Sequence, residues 1–250
     1  MRILFLFVIS IISAALHAQE MATDRPDQTE ASSVVGVRVV QIETGVVFSR
    51  DEIEFFNGTV KTRDFGTTLI RIGVFPDIEV RIASAVTNYE ESAGVRNSGL
   101  QPITVGTKIA LHPEKGMRPE LALIGHITLP WIGDDHLVSD YIAPDFRLSL
   151  SHTLSERFSL GYNVGMSWDG NSPRGSFIYT MALGASVGGP VSAFAEVYGD
   201  VTEDLGWNHN ADFGITVLIT PDLQFDTSYG FALNGDSSFF NVGVSMRFER

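Results

Sequence analysis

The chain contains no cysteine, which excludes a disulfide framework and any thiolate metal site. Basic residues are few: 17 Lys and Arg stand against 30 Asp and Glu, a formal charge of -13. Such an acidic balance excludes nucleic acid as a partner. Long apolar runs are also scarce. After residue 18, Gly, Ser, Thr or a charge interrupts every few positions, and no window approaches the ~18 apolar residues of a membrane helix.

The one long apolar run stands at the start. Met1-Arg2 forms a short positive head, Ile3 to Leu16 is apolar, and His17-Ala18 closes it before Gln19. That order is the grammar of a secretory signal peptide cleaved after Ala18. The organisation expected is therefore a signal peptide over 1–18, a periplasmic N-terminal segment over 19–36, and one β-domain over 37–250.

The β-domain announces itself by alternation. Phe158, Leu160, Tyr162, Val164, Met166 and Trp168 interleave with Ser159, Gly161, Asn163, Gly165 and Ser167. A period of two puts one set on an apolar face and the other on a small, polar face. Eleven residues matches a tilted strand crossing a bilayer, which needs roughly 9 to 11. The same grammar predicts twelve strands, near 37–48, 64–75, 79–89, 102–112, 118–129, 143–153, 157–168, 175–187, 190–200, 208–219, 221–232 and 238–248.

The connections alternate too. Short links at Pro76-Asp77-Ile78, Pro113 to Met117, Leu154-Ser155-Glu156, Gly188-Gly189 and Thr220-Pro221 carry turn residues. Longer polar links fall at 49–63, 90–101, 130–142, 169–174, 201–207 and 233–237. Tight turns on one side, longer loops on the other and an even strand count describe an up-and-down barrel of the outer membrane of Gram-negative bacteria, with both termini in the periplasm.

Alternation alone also fits a soluble barrel with an apolar core. Three features favour lipid outside. Twelve strands enclose more space than side chains readily fill. Aromatics collect near strand ends, as with Phe75, Trp131, Phe146, Phe158, Trp168 and Phe177, where interfacial girdles lie. The last strand places Val242, Val244, Met246 and Phe248 on one face, and a near-terminal aromatic of this kind is what the barrel-assembly machinery engages. The partners expected are outer-membrane lipid, that machinery and a small-molecule solute.

Several segments resemble a known family. Thr23-Asp24-Arg25-Pro26-Asp27-Gln28-Thr29-Glu30, then Thr67-Thr68-Leu69-Ile70-Arg71 and Ala122 to Pro130 (ALIGHITLP), are similar to outer-membrane transporters of the phenol-degradation (MetA-pathway) type. Ala143 to Leu148 (APDFRL) and Ser151 to Tyr162 (SHTLSERFSLGY) fit the same group. The resemblance implies a β-barrel with a channel or transport role and leaves the cargo open.

With the apolar face outward, the opposite face lines a lumen. It carries Arg71, Arg81, Lys108, Arg147 and Arg247 with Glu43, Glu120, Asp145, Glu196, Asp212 and Asp226, alongside His126. In a channel such residues set charge selectivity; the plainer reading makes them internal struts, with Lys108 and Glu120 as one expected pair. Mixed signs leave the selectivity undecided. His126 reads as a lumenal hydrogen-bonding group, or as a proton-responsive one.

The acids around His136 read as solvated loop carboxylates, with a loop Ca²⁺ site as the alternative. No cofactor or metal motif is expected. The polar 23–30 segment is either a leader or a stretch that folds back as a plug. Two competing functions remain: a lipase-like barrel enzyme, disfavoured because adjacent Ser151 and His152 point to opposite faces of a strand and no G-x-S-x-G occurs, and a structural surface protein.

Overall fold

A strand presents successive side chains to opposite faces, so apolar and small polar residues in alternation yield a two-faced wall. The computed structural model describes residues 21–53, 58–91, 94–202 and 206–249. Among these residues there are thirteen strands and no helix. They are β1 (Val39–Ile53), β2 (Gly58–Phe75), β3 (Ile78–Glu91), β4 (Arg96–Leu100), β5 (Ile103–His112), β6 (Glu120–Leu129) and β7 (Ala143–Thr153). The rest are β8 (Phe158–Ser167), β9 (Ser176–Gly188), β10 (Val191–Thr202), β11 (Gly206–Thr220), β12 (Leu223–Ala232) and β13 (Ser238–Glu249). The expected signal peptide lies outside the described residues.

Long strands pair antiparallel with their neighbours in the chain, and β1 pairs with β13 from Val39↔Glu249 to Arg50↔Ser238. That last ladder closes a barrel of twelve strands. Closure removes the free edge a sheet otherwise exposes. The short β4 stands apart from the closed ring. β3 pairs with β5 over Ile78 to Ala83, and farther along, over Val86 to Glu90, it pairs with β4 instead.

The barrel is inside out relative to a soluble fold. Arg71, Lys108, Glu43 and Ser149 are fully buried in its interior, while Leu148, the neighbour of Ser149, is 41% exposed. Phe213, Ile215, Phe225 and Val242 are likewise exposed on the outer wall. An apolar belt around a polar interior suits hydrocarbon as solvent, and it removes the soluble alternative. Phe75, Phe158 and Phe248 are exposed at the short-turn end, and Trp131, Tyr141 and Trp207 at the loop end.

The strands run longer than expected at the loop end. β1 extends to Ile53 and β2 begins at Gly58, both inside the 49–63 link, with Arg50 opposite Lys61, and β4 forms within the 90–101 link. Beyond the bilayer both faces of a hairpin meet water, so the apolar alternation disappears while the backbone ladder continues.

Candidate functional site

Residues 21–37 carry no strand or helix of their own, yet they run through the barrel interior. Backbone groups enclosed without secondary structure need other partners. Here the wall supplies them. Asp24 donates its N–H to Glu43 at 2.9 Å, Gln28 to Glu196 at 2.7 Å, Glu30 to Asn163 at 2.7 Å and Val35 to Glu79 at 2.8 Å. In return, Ala22 O accepts from Gln41 and Arg71, Ala31 O from Lys108, and Glu30 O from Ser149 and Asn163. Of the two arrangements open for the 23–30 stretch, these bonds place it in the lumen.

One half of the interior holds the wall cations Arg71, Arg81 and Lys108, paired with carboxylates. Asp24 sits among Arg81 at 2.6 Å, Lys108 at 2.9 Å and Arg71 at 3.3 Å. Arg71 also binds Glu79 at 2.9 Å and Glu43 at 3.1 Å, and Arg81 reaches Glu30 at 2.6 Å. Burial alone would push the Asp24 carboxyl up, but the fields of Arg71, Lys108 and Arg81 outweigh it and hold it well below the usual carboxylate range. Buried charges persist only when paired this closely.

The other half is anionic. Glu196 of β10 stands opposite Asp212 of β11 in register, and both are buried. Glu196 accepts from Thr29 Oγ1 at 2.5 Å as well as from Gln28. Burial first, and then the charges of Glu196 and Asp212, push the nearby Asp27 carboxyl well above its ordinary value. Arg25 turns the other way, with Nη2 at 2.6 Å from Asn241 and 3.2 Å from Asp226.

Glycines on the inner wall make room for this segment. A Cβ at Gly45 or Gly243 would overlap the Arg25 guanidinium, and one at Gly73 would overlap the Gly36 carbonyl. At Gly161 it would press on Thr29 Cγ2 at 3.1 Å. In the sequence these glycines register only as members of a small, polar face. Their spacing in the chain carries no sign of a plug.

The expected lumenal residues fall as follows. Arg71, Arg81, Lys108, Glu196, Asp212 and Asp226 are buried in the interior. Lys108 and Glu120 do not pair: Lys108 is taken by Asp24, and Glu120 accepts from Ser32 at 2.6 Å and Ser151 at 3.3 Å. Two wall residues expected to strut each other are thus each claimed by the inner segment, Lys108 by the Asp24 carboxylate and Glu120 by the Ser32 hydroxyl.

Asp145 and Arg147 form a two-point pair at 2.9 and 3.1 Å. His126 Nε2 accepts from Arg81 Nε at 2.9 Å. Arg247 lies at the short-turn end, bound to Asp222 at 2.8 Å. Asp134 Oδ2 caps the Leu100 N–H at 2.6 Å, which ties its loop to β4. No group of acids and histidines among the described residues has a metal-holding arrangement. Ser151 bonds Ser32 at 2.7 Å inside the barrel, whereas His152 Nε2 meets the Tyr162 hydroxyl at 3.3 Å. The two do not meet.

Cavities lie toward both ends of the lumen. One of about 520 Å³ at the short-turn end is roofed by Thr23, Arg25, Pro26 and Asp27 and walled by Phe194, Thr216 and Gln224. The second, about 250 Å³ at the loop end, is lined by Ser49, Asp51, Tyr198, Asn208, Asn210 and Phe239.

A closed, twelve-stranded barrel with an apolar outer wall and a polar, filled lumen defines a porin-like protein of the outer-membrane class. The chain matches the family described as the putative MetA-pathway of phenol degradation over residues 23–248, and it belongs to that family. No curated relative matches it. Among solved structures it is similar to the COG4313 outer membrane channel from Pseudomonas putida F1, at 11% identity and a TM-score of 0.67, covering 90% of this chain and 100% of that one. It is also similar to the KdgM porin in complex with disordered oligogalacturonate (8% identity, TM-score 0.56, 84% and 99% covered). The translocator domain of the autotransporter NalP from Neisseria meningitidis matches at 12% identity and a TM-score of 0.53, covering 86% and 90%. At such identities the likeness is one of fold.

Proposed function

We propose that the protein is a channel for small solutes in the outer membrane of a Gram-negative bacterium, and that residues 21–37 form its plug. A signal peptide ending near Ala18 exports it, the short turns face the periplasm, and the β13 strand ending at Phe248 engages the assembly machinery. The observation that carries the reading is that a separable stretch of chain, rather than side chains of the wall, fills the middle of a polar lumen. A scaffold or an enzyme has no use for a lumen lined on both sides of a plug by cavities. The family description names a pathway, and the cargo is left open.

Planar-bilayer recordings test this. The mature protein is compared with a variant lacking residues 21–33, with heat-modifiable gel migration confirming that each barrel is folded. The expected result is a larger conductance without the plug. A folded, plug-deleted barrel that passes neither ions nor small solutes sinks the proposal.

A further inference from the structure

The inner wall from β10 to β12 joins the two cavities. Phe194, Glu196 and Tyr198 are successive inward residues of β10; Phe194 lines the lower cavity and Tyr198 the upper. On β11, Thr216 belongs to the lower cavity and Asn210 to the upper, with Asp212 between them. On β12, Gln224 lies below and Ala232 above, with Asp226 between. At about 3.3 Å per residue, Phe194 and Tyr198 stand roughly 13 Å apart along the wall. A solute moving between the cavities passes the carboxylates.

Glu196 and Asp212 differ from Asp24, Glu30, Glu43 and Glu79 of the opposite half, each of which holds a cation. Both carboxylate oxygens of Asp212 are buried and accept no hydrogen bond, although the residue is only 2% exposed. Asp226 Oδ2 is also unmatched. Asp212 stands opposite Glu196 in register on the neighbouring strand, and two buried carboxylates so placed do not both stay ionised without a positive partner. Arg25, the plug's own cation, is turned toward Asp226 and Asn241.

We propose that Glu196 and Asp212 form a binding station for a monovalent cation on the wall that links the two cavities, and that the pore selects cationic solutes. Arg71, Arg81 and Lys108 do not cancel this preference, because Asp24, Glu30, Glu43 and Glu79 already hold them. Described residues contain no cluster shaped for a chelated metal, so the fitting ligand is a weakly held ion or the ammonium group of an organic solute. Tyr198 and Phe239 at the upper cavity add ring faces suited to such a cation.

The test has two measurements on the mature chain. Crystals soaked in thallium(I) are expected to show anomalous density between the two carboxylates, lost in the Glu196→Gln/Asp212→Asn variant. Reversal potentials under a KCl gradient are expected to favour K⁺, falling toward unity in the same variant, and a preference kept in methylammonium chloride extends the site to organic amines. Absence of thallium density overturns the station, a shared proton then being the partner of the two carboxyls. A conducting pore that prefers chloride overturns the selectivity. A barrel that never conducts defeats only the channel reading, and the thallium density still decides the site.

Discussion

Gly45 on β1 and Gly243 on β13 stand directly opposite each other, and the Arg25 guanidinium lies over both. The gap left by two missing side chains is the seat of the plug's only described bond to Asn241. A Cβ at Gly243 meets Arg25 as its nearest neighbours rather than the wall. Gly243→Ala is therefore expected to leave the barrel folded while displacing Arg25. Bilayer recordings should show more frequent or longer openings, with unchanged heat-modifiable migration. Arg25→Ala should behave the same way, and an unaltered closed state in both variants counts against this seat.

Asp24 is the plug's central anchor, since three wall cations converge on it. Removing one member of a buried ion pair costs about 3–5 kcal/mol, because the partners stay buried without their counter-charge. Asp24→Asn should weaken docking by an amount of that order. Hydrogen exchange over residues 21–33 should accelerate sharply while exchange in β6 to β9 stays slow. Equal acceleration throughout would mean that the segment supports the whole barrel rather than docking on it.

Seating of the plug should depend on pH in two opposite ways. Asp24 is held below its ordinary value when docked, so its contribution is present above that ordinary value and fades as pH falls through the lowered one. Asp27 is raised, so docking is favoured while it is protonated and loses that contribution as pH rises through the raised value. Open probability should therefore climb toward alkaline pH, and Asp27→Asn should flatten that climb while keeping the acid response. Recordings across a pH series in both proteins check the sign.

Much of the wall was legible from local pattern. The alternation from Phe158 to Trp168 locates β8, and each remaining long strand carries the same two-residue period. The plug's docking was less legible because its bonds join positions far apart in sequence: Asp24 to Lys108 and Arg25 to Asn241 leave no periodic trace. Glycines at 45, 73, 161 and 243 look like ordinary small residues until the segment above them is placed. The sorting of charge was hidden for the same reason, since Lys108 looks as well placed for Glu120 as for any partner. β4 escaped because a strand outside the bilayer has no apolar face to reveal it.

The outer and inner faces should respond oppositely to adjacent substitutions on β7. Leu148 is near the middle of that strand and faces outward, while Ser149 faces inward and donates to the Glu30 carbonyl at 2.5 Å. An arginine on the lipid face near the bilayer midplane costs about 2–4 kcal/mol. Leu148→Arg should therefore lower the stability of the barrel by that order in urea titrations from lipid vesicles. Ser149→Ala removes one hydrogen bond to the plug, worth about 1 kcal/mol, and should raise conductance while barely moving the barrel's unfolding midpoint. The pair separates the two roles of the wall, since one residue is answerable to lipid and its neighbour to the plug. If Leu148→Arg were neutral in vesicles, the apolar belt would not be facing hydrocarbon, and the orientation on which the lumen depends would fail with it.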